Sequence, residues 1–322
     1  MAYTTIDKPS DYFETKLYTG TGSEQSITGL DFAPNWVWVK CRSDAENHVL
    51  HDTVRGATKV LHSDTTDGEY TVAQGLKSFN SDGFTLGTSN FMNQSSRTFA
   101  SWNWKKTADA GFDIVSYSGN NSTNRQISHS LSAKPDMMLV KCRQTGLWKI
   151  YHSSLGATKY LVLSDNAGVV DNNSTWNDTE PTSSNFTLGD DGNVNETGET
   201  YINYLFAEKK GYSKFGSYTG NGNADGTFVY TGFKPAFVIV KRTDASAHWR
   251  MFDNKREGYN VDNDALKANV SDAETTTDFI DLLSNGFKLR SSDSAVNGGT
   301  VIYMAFASNP FVSSSGVPAT AR

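Results

Sequence analysis

The densest group of residues able to do chemistry lies early in the chain, where His48, His51, Asp52, His62, Ser63 and Asp64 supply the types used in nucleophilic and acid–base sites. Matched positions later in the chain argue against a shared mechanism. His48 corresponds to Trp148 and Trp249, and His51 to Tyr151 and Phe252, so the same slots hold aromatic side chains elsewhere. Packing explains that pattern better than catalysis, and no catalytic residue is assigned.

The run Asp190-Asp191-Gly192-Asn193-Val194-Asn195 alternates oxygen ligands, as a calcium loop does. Counted from Asp191, however, the glycine expected at position six is Glu196 and the glutamate expected at position twelve is Ile202. A turn is the expected structure, and neither a metal nor any other cofactor is expected. A glycosidase would need two carboxyl groups flanking the scissile bond. No acid recurs at matched positions throughout, although Asp52 matches Asp253, so no pair is singled out and the chain is not expected to be an enzyme.

Aromatic and amide side chains are the better sign of recognition, because together they stack on sugar faces and hydrogen-bond to hydroxyls. Trp104 aligns with Phe206 and Phe306 and is expected in the core. Trp176 and Asn177 lie in the polar insertion Asp171-Asn172-Asn173-Ser174-Thr175-Trp176-Asn177-Asp178, which has no evident counterpart. Those two, with Trp148 and Trp249, are the predicted ligand-binding residues, and Trp176 is expected to be exposed.

The elements that must position these residues follow from an internal repeat. Three segments open with Tyr18-Thr19-Gly20, Tyr117-Ser118-Gly119 and Tyr218-Thr219-Gly220. A proline then leads an apolar stretch: Trp36-Val37-Trp38-Val39-Lys40 after Pro34, Met137-Met138-Leu139-Val140-Lys141 after Pro135, and Phe237-Val238-Ile239-Val240-Lys241 close after Pro235. Next come Arg55-Gly56-Ala57-Thr58-Lys59, Leu155-Gly156-Ala157-Thr158-Lys159 and the weaker Arg256-Glu257-Gly258-Tyr259. Later landmarks are Gly83-Phe84-Thr85-Leu86, Asn185-Phe186-Thr187-Leu188 and Gly286-Phe287-Lys288-Leu289. Each segment closes on an aromatic strand, at 99–104, 201–206 and 301–306.

The stretches after proline are apolar on both strand faces, the mark of a strand covered on both sides. Asp82-Gly83 and Asn285-Gly286 supply the turn chemistry of a strand entry or hairpin. The expected fold is therefore all-β, as three tandem β-sandwich repeats of jelly-roll or immunoglobulin size. The expected boundaries are an N-terminal arm at 1–17, repeats at 18–106, 112–209 and 212–311, and a C-terminal tail at 312–322.

Composition agrees with strands and turns, with 27 Gly, 14 Tyr and 18 Phe among 322 residues. The net charge of −6 comes without a basic block, so nucleic acid is not an expected partner. No stretch approaches the length of a membrane span, and Met1 to Lys8 lack the pattern of a secretion signal, so neither membrane insertion nor export is expected. Cys41 and Cys142 are too few for a disulfide framework and are expected to be buried thiols.

The combination of Trp36 to Lys40, Val54 to Lys59, Ser81-Asp82-Gly83-Phe84-Thr85-Leu86-Gly87 and Ala100-Ser101-Trp102-Asn103-Trp104-Lys105 resembles a repeat module of virion and tail-fibre-type proteins of marine tailed phages. The ending Ile302 to Phe311, followed by Gly316 to Arg322, is similar to the C-terminus of that group. The resemblance covers nearly the whole chain. It implies a β-sandwich fold and a place in the virion, assembled in the host cytoplasm, with adhesion to the host surface. It supplies no catalytic residues. A site built on Arg55 is expected in full only in the first segment, because Leu155 replaces it in the second and the spacing around Arg256 differs. The expected function is a tail-associated or fibre-like structural protein that forms a homotrimer, contacts other virion proteins and binds a host-surface glycan. A capsid decoration or tail adaptor without a receptor, and a polysaccharide depolymerase, remain the alternatives.

Overall fold

The computed structural model describes residues 3–256, 260 and 264–318. The chain is all-β, with 42% of it in strand and 6% in helix. Each of the described α-helices is a single turn: Asn90–Asn93, Asn173–Trp176, Gly192–Asn195 and Ser294–Asn297.

Three larger antiparallel sheets carry the chain. The first has the spatial order Phe13–Thr19, Thr98–Trp104, Trp36–Cys41, Val49–Asp52. The second begins Phe112–Ser118, Thr200–Phe206, Met137–Cys142, Trp148–His152 and adds Lys159–Val162 and Val170–Asp171. The third runs Ser213–Thr219, Thr300–Pro310, Phe233–Arg242, Arg250–Asp253, Leu266–Lys267. In each, the strand after the proline lies between two neighbours, and Trp104, Phe206 and Phe306 sit opposite Trp36, Met137 and Phe237. Those central strands are buried on both faces, which is why their sequences are continuously apolar instead of alternating.

The two faces meet different cores. Successive side chains of a strand point to opposite sides, so Val37 and Val39 turn outward under a small sheet made of Gln25–Ile27, Gly83–Leu86 and Leu76–Asn80. Met138 and Val140 do the same beneath Arg125–Ser128 and Asn185–Leu188, and Val238 and Val240 beneath Phe228–Tyr230, Gly286–Leu289 and Ile280–Leu283. Trp36, Trp38, Leu139, Phe237 and Ile239 point the other way, into one aromatic core shared by all three larger sheets. Trp36 stacks on Tyr204 with ring centroids 4.5 Å apart, and Phe13 stacks on Phe306 at 5.1 Å.

The expected arm at 1–17 is shorter in the structure. Phe13–Thr19 forms a seven-residue ladder with Thr98–Trp104, so the first sheet begins at Phe13. Ahead of it Ile6 is buried in the aromatic core, Pro9–Asp11 makes a 3-10 turn, and Tyr12 packs edge-on against Tyr212. The tail folds back on itself through a bridge between Val312 and Pro318, and the Ser314 amide donates to Asp7 Oδ1 at 2.6 Å, which brings the two ends of the described chain together. Residues 319–322 of the expected tail lie outside the described residues.

Candidate functional site

The early His/Asp/Ser group is brought close but is wired for structure. Trp38 Nε1 donates to His48 Nδ1 at 2.8 Å, so His48 Nε2 carries the proton and donates to the Lys267 carbonyl at 2.9 Å. His62 lies 2.6 Å from the His48 carbonyl and 2.7 Å from the Tyr70 hydroxyl. Ser63 gives its proton to the Ala268 carbonyl at 2.6 Å, not to a histidine, so no activated nucleophile is formed. Burial holds His48 well below its ordinary range and pushes His51 down to about 3, while it lifts Asp64 to about 7.

Asp52 and Asp253 occupy the same register, opposite Trp36 and Phe237. Asp52 accepts from Arg55 Nε at 2.5 Å and from the Tyr204 hydroxyl of the second sheet at 2.7 Å. Burial alone would raise this carboxyl; the Arg55 guanidinium, the Tyr204 hydroxyl and the Arg55 amide outweigh it and hold the group below the usual range. Asp253 accepts from Arg256 Nε at 2.7 Å and from Trp102 Nε1 of the first sheet at 3.0 Å. The Arg–Asp pair of Arg55 therefore recurs at Arg256, with the Trp102 indole in place of the Tyr204 hydroxyl, a correction to the reading from spacing, since each arginine reaches back three residues to its own aspartate. In the second sheet His152 takes the place of the aspartate and lies 3.1 Å from the Tyr303 carbonyl of the third.

A second set of contacts runs around the molecule in the opposite sense. Lys40 donates to the Ser271 carbonyl at 3.1 Å, Lys141 to Thr66 at 3.2 Å and Lys241 to Asn166 at 3.4 Å. Burial lowers all three lysines, Lys141 and Lys241 to about 8. Arg143 and Arg42 add ion pairs to Glu69 and Glu274, at 2.9 and 2.7 Å. The first sheet thus touches the third, the second the first, and the third the second, a closed cycle.

Three of the four predicted ligand-binding residues are buried structural side chains, which corrects the expectation that Trp176 is exposed. Trp148, Trp176 and Trp249 are at most 1% exposed. Trp148 Nε1 donates to the His62 carbonyl and Trp249 Nε1 to the Val162 carbonyl, each at 2.8 Å and each across to the preceding sheet. Trp176 Nε1 donates to the Lys159 carbonyl at 3.1 Å, and its ring packs edge-on to Tyr151. The polar insertion around it is the single helical turn Asn173–Trp176, whose one apolar residue turns inward. Asn177, in the left-handed conformation that ends this turn, is half-buried, the one of the four predicted residues that reaches solvent. Asp191, from the calcium-like run, caps Gly192–Asn195 by accepting from the Asn193 amide and pairs with Lys149 at 3.1 Å. Among the described residues no group of three or more His, Cys, Asp or Glu is placed to hold a metal.

Residues passed over in the sequence organise the loops after each opening tyrosine. The Asn93, Asn195 and Asn297 carboxamides each accept from a loop amide, of Thr21, Asn120 and Asn221, at 2.9 to 3.1 Å. Their amide nitrogens donate to Gly87, Gly189 and Ser291 carbonyls, at 2.7 to 2.8 Å. The Tyr18, Tyr117 and Tyr218 hydroxyls donate to the carbonyls just before these asparagines. The signal was available: an asparagine falls 75, 78 and 79 residues beyond the three opening tyrosines, each shortly before the closing strand.

A surface cleft of about 270 Å³ with two tyrosines in its walls lies where the N-terminal residues, the linker between the second and third sheets and an edge strand converge. Tyr3 Oη donates to the Gly232 carbonyl at 2.8 Å and lies 3.4 Å from Tyr230 Oη. A Cβ on Gly232, at φ +83°, would meet Tyr3 Oη at 2.6 Å, so the close approach requires glycine. Lys210 Nζ lies 4.5 Å from the centre of the Tyr3 ring, and Lys214 Nζ lies 3.8 Å from Glu208 Oε1. Tyr230 is 50% exposed.

No curated protein and no solved structure matches the chain. The family described as Domain of unknown function (DUF7483) matches residues 8–310, a span that takes in all three larger sheets, and the chain belongs to that family.

Proposed function

We propose that the chain is three copies of one β-sandwich module closed around a shared aromatic core, and that it is a non-catalytic structural protein of a phage particle, tail-associated or fibre-like, which contributes to attachment to a host-surface glycan. The observation that carries this reading is the engagement of the chemistry-bearing residues in contacts between sheets. Asp52, His152 and Asp253 each tie their own sheet to a neighbour, and the histidines beside them face carbonyls. What remains for partners is surface, and the aromatic cleft at Tyr3 and Tyr230 suits a sugar. The phage assignment rests on the sequence resemblance, as do the homotrimer and the contacts with other virion proteins.

A capsid decoration or tail adaptor is the second reading. The closed cycle of contacts between sheets favours it, because modules around one axis make a compact body and not a shaft. Immunolabelling of intact particles in negative stain tests both. Label confined to the tail supports attachment, label spread over the head makes decoration the function, and particles without label contradict a virion role.

A further inference from the structure

We infer that the Tyr3–Tyr230 cleft is a saccharide subsite, extended along its strand by Phe228, and that it selects an acidic sugar; this rests on the attachment reading above. The argument begins with register. Val229 lies opposite Phe287 as Ile27 lies opposite Phe84 and Ile127 opposite Phe186, so the three edge strands are matched residue for residue. The positions flanking that inward residue face solvent, and in two strands they are polar: Ser26 and Thr28, Gln126 and Ser128. In the third they are Phe228 and Tyr230, 43% and 50% exposed. The core does not call for these rings, since small polar side chains serve at the same places elsewhere. Two residues apart on a strand, they stand on one face at a spacing of about 6.6 Å. Tyr230 faces Gly286 across the ladder, so no side chain covers it from that strand.

The polar groups choose among ligands. A sugar ring stacked on Tyr230 has Glu208 and Lys214 within the cleft as partners for hydroxyls. Lys210 has no carboxylate partner among the described residues; its ammonium lies over the Tyr3 ring, at the cleft wall. A sugar carboxylate placed there gains a charge-assisted bond that a neutral sugar lacks. The volume of about 270 Å³ falls just short of the roughly 300–1,000 Å³ of drug-sized sites and suits a short stretch of saccharide better than a folded partner.

The test uses the full chain, titrated calorimetrically with a galacturonate oligosaccharide and with a neutral cello-oligosaccharide. The variants Tyr230→Ser, Phe228→Gln and Lys210→Gln bring the residues of the sibling strands, or a neutral amide, to solvent-facing positions, and unfolding curves establish that they fold. The galacturonate oligosaccharide should bind, more weakly as salt rises. Tyr230→Ser should weaken it by about tenfold or more, about 1.4 kcal/mol, and Lys210→Gln should abolish the preference over the neutral sugar. No binding of the acidic sugar, equal binding of both sugars, or unchanged binding by Tyr230→Ser overturns the inference. Attachment of labelled protein to host cells, measured alongside, separates the two claims: equal attachment by wild type and Tyr230→Ser overturns the subsite alone, and absence of attachment by wild type overturns the attachment reading as well.

Discussion

Trp102 and Trp104 are two residues apart on one strand and equally buried, yet they have different tasks. Trp102 Nε1 donates to Asp253, whereas Trp104 Nε1 has no partner among the described residues and its counterparts are Phe206 and Phe306. Trp104→Phe should therefore cost only the transfer and cavity terms of the ring volume it removes, about 1–2 kcal/mol. Trp102→Phe should cost a further roughly 1.5–3 kcal/mol, the range for hydrogen bonds to charged groups, and chemical denaturation of the two variants measures the difference. Asp52→Asn, which removes the nearer carboxylate from buried Arg55 and leaves it Glu69 at 3.5 Å, should lose about 3 kcal/mol. Acid should weaken the fold for a related reason. His48, His51 and His152 are held neutral by burial, with His51 at about 3 and His152 at about 4. The unfolded chain takes up protons at these residues that the folded one refuses, so their contribution is complete above about pH 6.5 and is lost as pH falls toward 4. Asp64, raised to about 7, acts in the opposite sense across the whole of that window, and Glu208, also raised by burial, joins it, while His62, His129 and His248, lowered by burial, add to the loss. The net loss between pH 7 and pH 4 should be on the order of several kcal/mol, and a melting temperature unchanged across that range would contradict it.

At the scale of elements, the asparagine clamps decide whether the loops after Tyr18, Tyr117 and Tyr218 hold their shape. A Cβ on Gly119 would lie 1.9 Å from the Glu196 carbonyl oxygen, and one on Gly20 would lie 2.2 Å from that of Gln94. Gly119→Ala should cost about 1–3 kcal/mol through the forced displacement, and Asn195→Ala at least a similar amount through the loop amides and carbonyls it leaves bare. Urea midpoints test both. These landmarks explain why so much of the architecture was legible: the glycine of each opening motif is fixed by a close approach, and the apolar stretch after each proline by burial on both faces. What sequence could not reveal is which core each face meets. The alternation of Trp36 and Trp38 with Val37 and Val39 marks two covered faces, but nothing local distinguishes the face under the small sheet from the face in the core that the larger sheets share. Trp176 was misread for the same reason. Polar neighbours on a single helical turn indicate exposure only when no other element lies beneath, and here Tyr151 does. The aromatic pair Phe228 and Tyr230 stood in the sequence at positions that are polar in the sibling strands, yet only the strand register exposes the mismatch.

For the molecule as a whole, three larger sheets that share one core and tie themselves in a closed cycle should unfold together. Tryptophan fluorescence, which reports all three through Trp36, Trp148 and Trp249, and far-UV circular dichroism should give coincident urea transitions. Separate transitions would mean that the sheets stand independently. The same closure leaves function to the surface, and attachment is the central claim. It is tested most directly by competition, in which purified full-length protein is added to host cells before the phage and free particles are counted. The account predicts a saturable fall in adsorption as protein concentration rises. Adsorption unchanged at protein concentrations far above that of the particles would contradict it.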